Sequence, residues 1–172
     1  SDPVEGVFHI LLTDDGGQSW SEAENLPAPL EGEAGFAASD TGIALGEAGR
    51  VWIGTGGGAR ARILSSRDFG TSWGAVTAPL AAYSLDGGHV WFEPEIPPTG
   101  YRSAVASIPG LGGHFLAVGP NGSDLSRDGG RVWEGISEAG YNAIAFAPGS
   151  LAGWAVGTDG RIARLTVRQG SE

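Results

Sequence analysis

Four short segments of the chain can be superimposed without a gap: "TDDGGQSW" (13–20), "SRDFGTSW" (66–73), "SLDGGHVW" (84–91) and "SRDGGRVW" (126–133). All obey [ST]-x-D-x-G-x-x-W, and each fixed position has a chemical reason. Asp15, Asp68, Asp86 and Asp128 accept hydrogen bonds from the backbone N–H groups of the turn they open, as Asx-turn residues do. Gly17, Gly70, Gly88 and Gly130 supply the positive φ that a tight hairpin requires. Trp20, Trp73, Trp91 and Trp133 are expected to begin the returning strand and bury a large ring between layers. A chain that writes strand, turn, strand four times folds as all-β, and internal repetition dictates how its layers are arranged.

Composition agrees. Thirty-one Gly and ten Pro spread over 172 residues leave no room for long helices, while 41% hydrophobic content supplies a core between them. The absence of Cys removes disulfides and thiolate metal sites. No apolar run reaches the roughly 18 residues of a membrane-spanning helix. The net charge is −10, with ten acidic and no basic residues in 1–49 but ten Arg against ten Asp and Glu in 50–172. That balance disfavours nucleic acid, which demands a basic face. The acidic segment reads as a solvated surface. The chain opens on Ser without a basic-then-apolar leader, so any signal peptide is expected to have been removed or to lie outside this segment.

The four-fold motif is the Asp-box, or BNR repeat, and the chain resembles the β-propellers that carry it. In such propellers the box joins the third and fourth strands of a four-stranded blade, on the periphery, away from the ligand face. The resemblance therefore implies that the four Asp are structural. One blade can be laid out as "YRSAVASIP" (101–109), "HFLAVG" (114–119), "SDLS" and "VWEGIS", and the cycle restarts at "YNAIAFAP" (141–148), "GWAVG" (153–157) and "GRIARLTV" (160–167). An earlier blade has "GFAASD", "IALGEAGRVWIGTG" and "ARILSSRDFGTSW" as its strands. The spacing matches the roughly 40–45 residues of a four-stranded blade. The expected fold is a partial propeller of about four blades, over residues 1–30 (partial), 35–79, 80–99 (partial), 100–138 and 140–168 (partial), cut from a larger one.

Ten residues separate Trp73 from Ser84, whereas two further strands with their turns need about twenty at the usual strand length. Residues 74–79 finish one blade, and "LAAYS" is left as a third strand lacking inner neighbours. A defective or merged blade is expected at 74–92.

"GYRSAVASIPG", "LAVGPNGSDLSRDGGRVW", "GYNAIAFAPG" and "GWAVGTDGRIARL" are similar to bacterial propellers related to the photosystem II stability and assembly factor, some labelled glycosyl-hydrolase-like or "oxidoreductase". The resemblance covers nearly the whole chain, though members are about twice as long. It implies a non-enzymatic, periplasmic or extracellular scaffold whose partner is another protein.

"VWIGTGGGARAR" (51–62) imitates a dinucleotide fingerprint, but it runs into an Asp-box strand and opens no helix to receive a pyrophosphate. No cofactor, metal site or catalytic residue is expected. Sialidases also carry Asp-boxes, and use three Arg on the substrate carboxylate, the first within an F/Y-R-I-P motif; "GYRSAVASIP" offers Tyr101 and Arg102 but continues Ser103-Ala104. A sialidase-like hydrolase or a glycan-binding propeller stays open as the alternative. His9, His89 and His114 lack metal or triad spacing. The starts "GFAAS", "GYRSA" and "GYNAI" place Phe36, Tyr101, Arg102, Tyr141 and Asn142 near one channel rim as a candidate binding surface, with aromatic packing between blades as the competing role. Arg60 and Arg62 form a second candidate patch.

Overall fold

The computed structural model describes residues 2–35, 42–58, 60–79 and 81–166. Among them every strand-to-strand pairing within a sheet is antiparallel, and the only helical pieces are two single 3-10 turns, Glu47–Gly49 and Thr158–Gly160. The chain divides into two compact units, Ser1–Ala38 with Gly42–Leu80 and Asp86–Trp91, and Ser39–Thr41 with Ala81–Leu85 and Phe92–Glu172.

The first unit holds a two-residue hairpin, β1 (Leu11–Leu12) with β2 (Ser21–Glu22), and a four-stranded meander of β3 (Ile43–Leu45), β4 (Val51–Thr55), β5 (Ala61–Ser66) and β6 (Gly74–Ala78). Ile53 lies opposite Leu64 in the β4–β5 ladder, and both point into a core completed by Phe8, with Ile10, Leu26, Val51 and Trp73 around it. The sequence assigned the first strand of this sheet to "GFAASD", most of which lies outside the described residues, and read "IALGEAGRVWIGTG" as one second strand. The structure corrects this. Ala48 (φ 55°) and Gly49 (φ 75°) fold that run back on itself, so Ile43–Leu45 is the first strand and pairs with Val51–Ile53. The signal was present as "GEAG", a turn inside an apolar run.

The second unit contains the four-stranded sheet of β7 (Ala104–Ser107), β8 (Phe115–Gly119), β9 (Gly122–Ser126) and β10 (Glu134–Ser137), and the three-stranded sheet of β11 (Ala143–Phe146), β12 (Ala152–Val156) and β13 (Ile162–Thr166). They stack through Ala104, Ile108, Leu116 and Val118 on one side and Ile144, Phe146 and Leu165 on the other. Burying each large aliphatic chain here is worth about 1.5–3 kcal/mol. No box follows β13.

Among the described residues of the crowded interval there is no separate sheet. Gly74–Ala78 completes the first meander as β6. Tyr83 and Phe92 form one isolated antiparallel bridge, with ring centroids 5.6 Å apart and the Arg131 guanidinium 5.9 Å from the Tyr83 ring. Beyond it, Ile96 makes a parallel bridge to Val132, and the N–H of Trp133 donates to the Ile96 carbonyl at 3.0 Å. Residues here thus run along the fourth Asp-box, in a pairing that the four-strand plan does not contain.

Candidate functional site

The carboxylates of the repeated turns are the most conspicuous chemical groups in the chain. In the second box the Asp68 Oδ1 accepts from the Ser66 hydroxyl (2.8 Å) and the Ser72 N–H (2.8 Å), while Oδ2 accepts from the Ser72 hydroxyl (2.5 Å). The Ser66 oxygen in turn accepts from the Gly70 N–H at 2.8 Å. Thr13, Asp15, Gly17 and Ser19 repeat this arrangement in the first box, and Ser126, Asp128 and Gly130 in the fourth, where the Arg131 and Val132 N–H groups are the backbone donors. In the third box the Asp86 Oδ1 accepts from the N–H groups of His89 and Val90. In the first, second and fourth boxes the fixed Ser or Thr is therefore a bridge between the carboxylate and the glycine N–H, a role that the sequence pattern marked only as a composition.

Glycine conformations follow the expectation: Gly17, Gly70, Gly88 and Gly130 have φ between 88° and 91°. The preceding residue also has positive φ, supplied by Gly16, Gly87 and Gly129 but by Phe69 (φ 59°) in the second box. Phe69 keeps this conformation while its N–H donates to the Gly49 carbonyl at 2.9 Å and its ring lies over Gly49.

The tryptophans differ from the expectation. Each stands one residue before its returning strand or bridge, and Trp20 is 59% exposed, not buried between layers. The indole N–H of Trp20, Trp73 and Trp133 folds back onto the carbonyl of its own box glycine, at 3.2, 2.8 and 3.1 Å. Trp91 is the exception: its buried indole nitrogen has no hydrogen-bond partner.

These contacts set the titration of the boxes. Hydrogen bonds from Ser19 hold Asp15 down at about 2, and those from Ser72 do the same to Asp68. In Asp128 the Val132 N–H is the main cause of a shift in the same direction. A depressed carboxylate stabilises the fold above its ordinary value of 3.8, and that contribution fades as pH falls towards about 2. Acid unfolding followed by tryptophan fluorescence is therefore expected to steepen below pH 4, and the Ser72→Ala variant should begin to unfold at a higher pH than the parent.

The candidate rim is not a uniform surface. Tyr101 is 60% exposed, whereas the side chain of Arg102 is 7% exposed and is ion-paired through Nε to the wholly buried Asp124 of β9. Arg102 also donates to the Thr99 hydroxyl (2.8 Å) and the Tyr101 carbonyl (2.9 Å), and Thr99 gives both its N–H and its hydroxyl to Asp124. Arg102 is thus a clamp beside Tyr101, its guanidinium engaged by Asp124, Thr99 and the Tyr101 carbonyl. Asp124 was overlooked in "SDLS"; the available signal was a carboxylate at an inward position of a strand otherwise lined by small residues.

Hydrogen bonds also shift the apparent repeat. The Ser103 N–H donates to the Val118 carbonyl, and the Asn142 N–H to that of Val156. Asn142 accordingly takes the place of Ser103, and Tyr141 that of Arg102, one step away from the alignment of "GYRSA" with "GYNAI". Tyr141 is half-buried against the core of the second unit, whereas Asn142 is exposed. Phe36 lies outside the described residues.

Arg60 and Arg62 differ in their surroundings. Arg60 is exposed. Arg62 donates from Nε and Nη2 to Glu33 at 2.8 and 2.6 Å and from Nη2 to the Ala28 carbonyl at 2.9 Å. Burial pushes the Glu33 carboxyl up, but the hydrogen bonds from Arg62, Thr55 and the Leu30 N–H outweigh it and hold the group below its usual range. Arg161 likewise caps the Gly140 carbonyl at 3.0 Å. Arg62, Arg102 and Arg161 are used in this way to satisfy carboxylates or carbonyls of their own unit, and the exposed Arg127 donates to Glu134 at 2.6 Å. Among the described residues no group of three His, Cys, Asp or Glu is placed to hold a metal ion, and no helix is long and apolar enough to cross a membrane.

No protein-family model and no curated protein matches the chain.

Proposed function

We propose that the stacked antiparallel sheets are blades of an Asp-box β-propeller, and that it is a non-enzymatic scaffold binding another protein at the edge where the chain enters its first strands. One observation carries the reading: Tyr101 is 60% exposed beside Arg102, whose guanidinium is already shared among Asp124, Thr99 and the Tyr101 carbonyl. An exposed aromatic ring on a mount fixed by a buried ion pair is the kind of anchor that dominates protein interfaces. The same clamp argues against sialidase-like use of Arg102, because a guanidinium engaged by a buried carboxylate is not free to receive a substrate carboxylate. Resemblance to photosystem II assembly-factor-like propellers supports an assembly role and an exported or periplasmic setting.

Arg102 is a poor probe of the surface, since removing it unbalances Asp124. Tyr101→Ala is the informative change. It is expected to leave the melting temperature within a degree or two of the parent, because the ring is mostly exposed, and to weaken a co-purifying protein partner by about tenfold or more. Sialoside or aryl-glycoside turnover abolished by Tyr101→Phe, or glycan binding lost in Tyr101→Ala, would overturn the protein-scaffold reading.

A further inference from the structure

The chain has three asparagines, Asn25, Asn121 and Asn142, and all three are exposed. Exposure therefore does not distinguish them, but the following residue does. Asn25 precedes Leu26, which packs against the core of the first unit, and Asn142 precedes Ala143, the first residue of β11. Asn121 precedes Gly122. An asparagine side chain followed by glycine meets no Cβ when its carbonyl carbon closes on the next backbone nitrogen, and glycine leaves that nitrogen the widest range of approach.

Pro120 and Asn121 make the turn between β8 and β9, where Gly119 and Gly122 are the last paired residues of the ladder. Opening this end frees the Gly122 nitrogen at the cost of one terminal pair, and local openings of this kind are among the least costly in a fold. Nor can Gly122 be exchanged for a residue that would shield Asn121. Its φ is 130°, and a Cβ on it would stand 2.5 Å from the Ser137 carbonyl oxygen and 3.6 Å from Arg102 Nη2. The fold thus demands, next to Asn121, the residue that leaves it most open to attack by its own backbone.

We propose that Asn121 is a site of spontaneous deamidation whose product loosens the Arg102–Asp124 clamp. The Gly122 nitrogen, having given its proton to hydroxide, attacks the side-chain carbonyl carbon of Asn121. The bond from that carbon to the amide nitrogen breaks, and ammonia leaves. Water then opens the cyclic imide at one of its two carbonyls, giving aspartate or isoaspartate; nothing is oxidised or reduced. Either product places a new carboxylate one residue from the approach of Arg102 to the turn. Isoaspartate also lengthens the main chain by one atom just before the strand that carries Asp124. The turn has no slack to absorb it: the Tyr141 N–H donates to the Gly119 carbonyl at 2.9 Å, and the Pro120 carbonyl lies where a Cβ on Gly140 would collide with it. These steps hold whatever partner Tyr101 engages.

Peptide mapping by mass spectrometry of the folded chain, aged in mildly alkaline buffer, tests this. The Asn121 peptide is expected to lose its amide and yield two acidic products that separate by chromatography, while the Asn25 and Asn142 peptides keep theirs. The loss should quicken as pH rises, since hydroxide generates the attacking nitrogen. Asn121→Gln, whose longer side chain must close a larger ring, should stay an amide. Aged parent should melt below fresh parent in proportion to its isoaspartate content, whereas aged Asn121→Gln should melt as its fresh counterpart does. An Asn121 peptide that keeps its amide, three asparagines that lose theirs at equal rates, or a parent that carries isoaspartate at position 121 and still melts like the fresh protein would each overturn the proposal.

Discussion

Replacing Arg102 with Ala is expected to lower the unfolding free energy by about 3–5 kcal/mol, the cost of leaving a buried carboxylate without its cation. The Asp124 side chain is fully buried, and after the substitution only the Thr99 N–H and hydroxyl would still address it. Arg102→Lys should recover only part of the loss, because one ammonium cannot span Asp124, Thr99 and the Tyr101 carbonyl as the guanidinium fork does. The double variant Arg102→Met/Asp124→Leu removes both charges together and should regain most of the stability. Urea unfolding at neutral pH measures all three. An Arg102→Ala protein as stable as the parent would mean that the pair is not the internal clamp described above.

Leu64→Ala is the second large effect, with an expected loss of about 2–5 kcal/mol from the cavity it leaves in a close-packed site. Leu64 has no exposed surface and sits opposite Ile53 against Phe8. Leu45 belongs to the same sheet but is 78% exposed, so Leu45→Ala should change stability by no more than about 0.5 kcal/mol. The contrast between two leucines of one sheet locates the core of the first unit independently of the arginine experiment, which reads the second.

The turns were legible because their demands are local. An Asp that must accept backbone N–H groups and a Gly that must adopt positive φ leave the same letters wherever the turn recurs, and the strands on either side then follow from alternation. The second positive-φ position was visible too, as Gly16, Gly87 and Gly129, but Phe69 broke the pattern and hid the rule. The contacts of Arg102 were hidden for a different reason. Its partner lies 22 residues away on β9, and a Tyr-Arg pair beside Gly reads as an exposed loop unless the strand register that brings Asp124 underneath is known. The same holds for Arg62, whose carboxylate lies 29 residues earlier in a Pro-rich segment. The β3 boundary was local instead: the Glu47–Gly49 turn divided what alternation alone made into a single strand.

The role of the repeated carboxylates is the central point, and calorimetric melting of Asp128→Ala against the parent tests it most directly. Asp128 holds the fourth turn through the Ser126 hydroxyl and the N–H groups of Arg131 and Val132. Its removal should lower the melting temperature by several degrees. A variant that melts with the parent would contradict the assignment of the box aspartates to architecture.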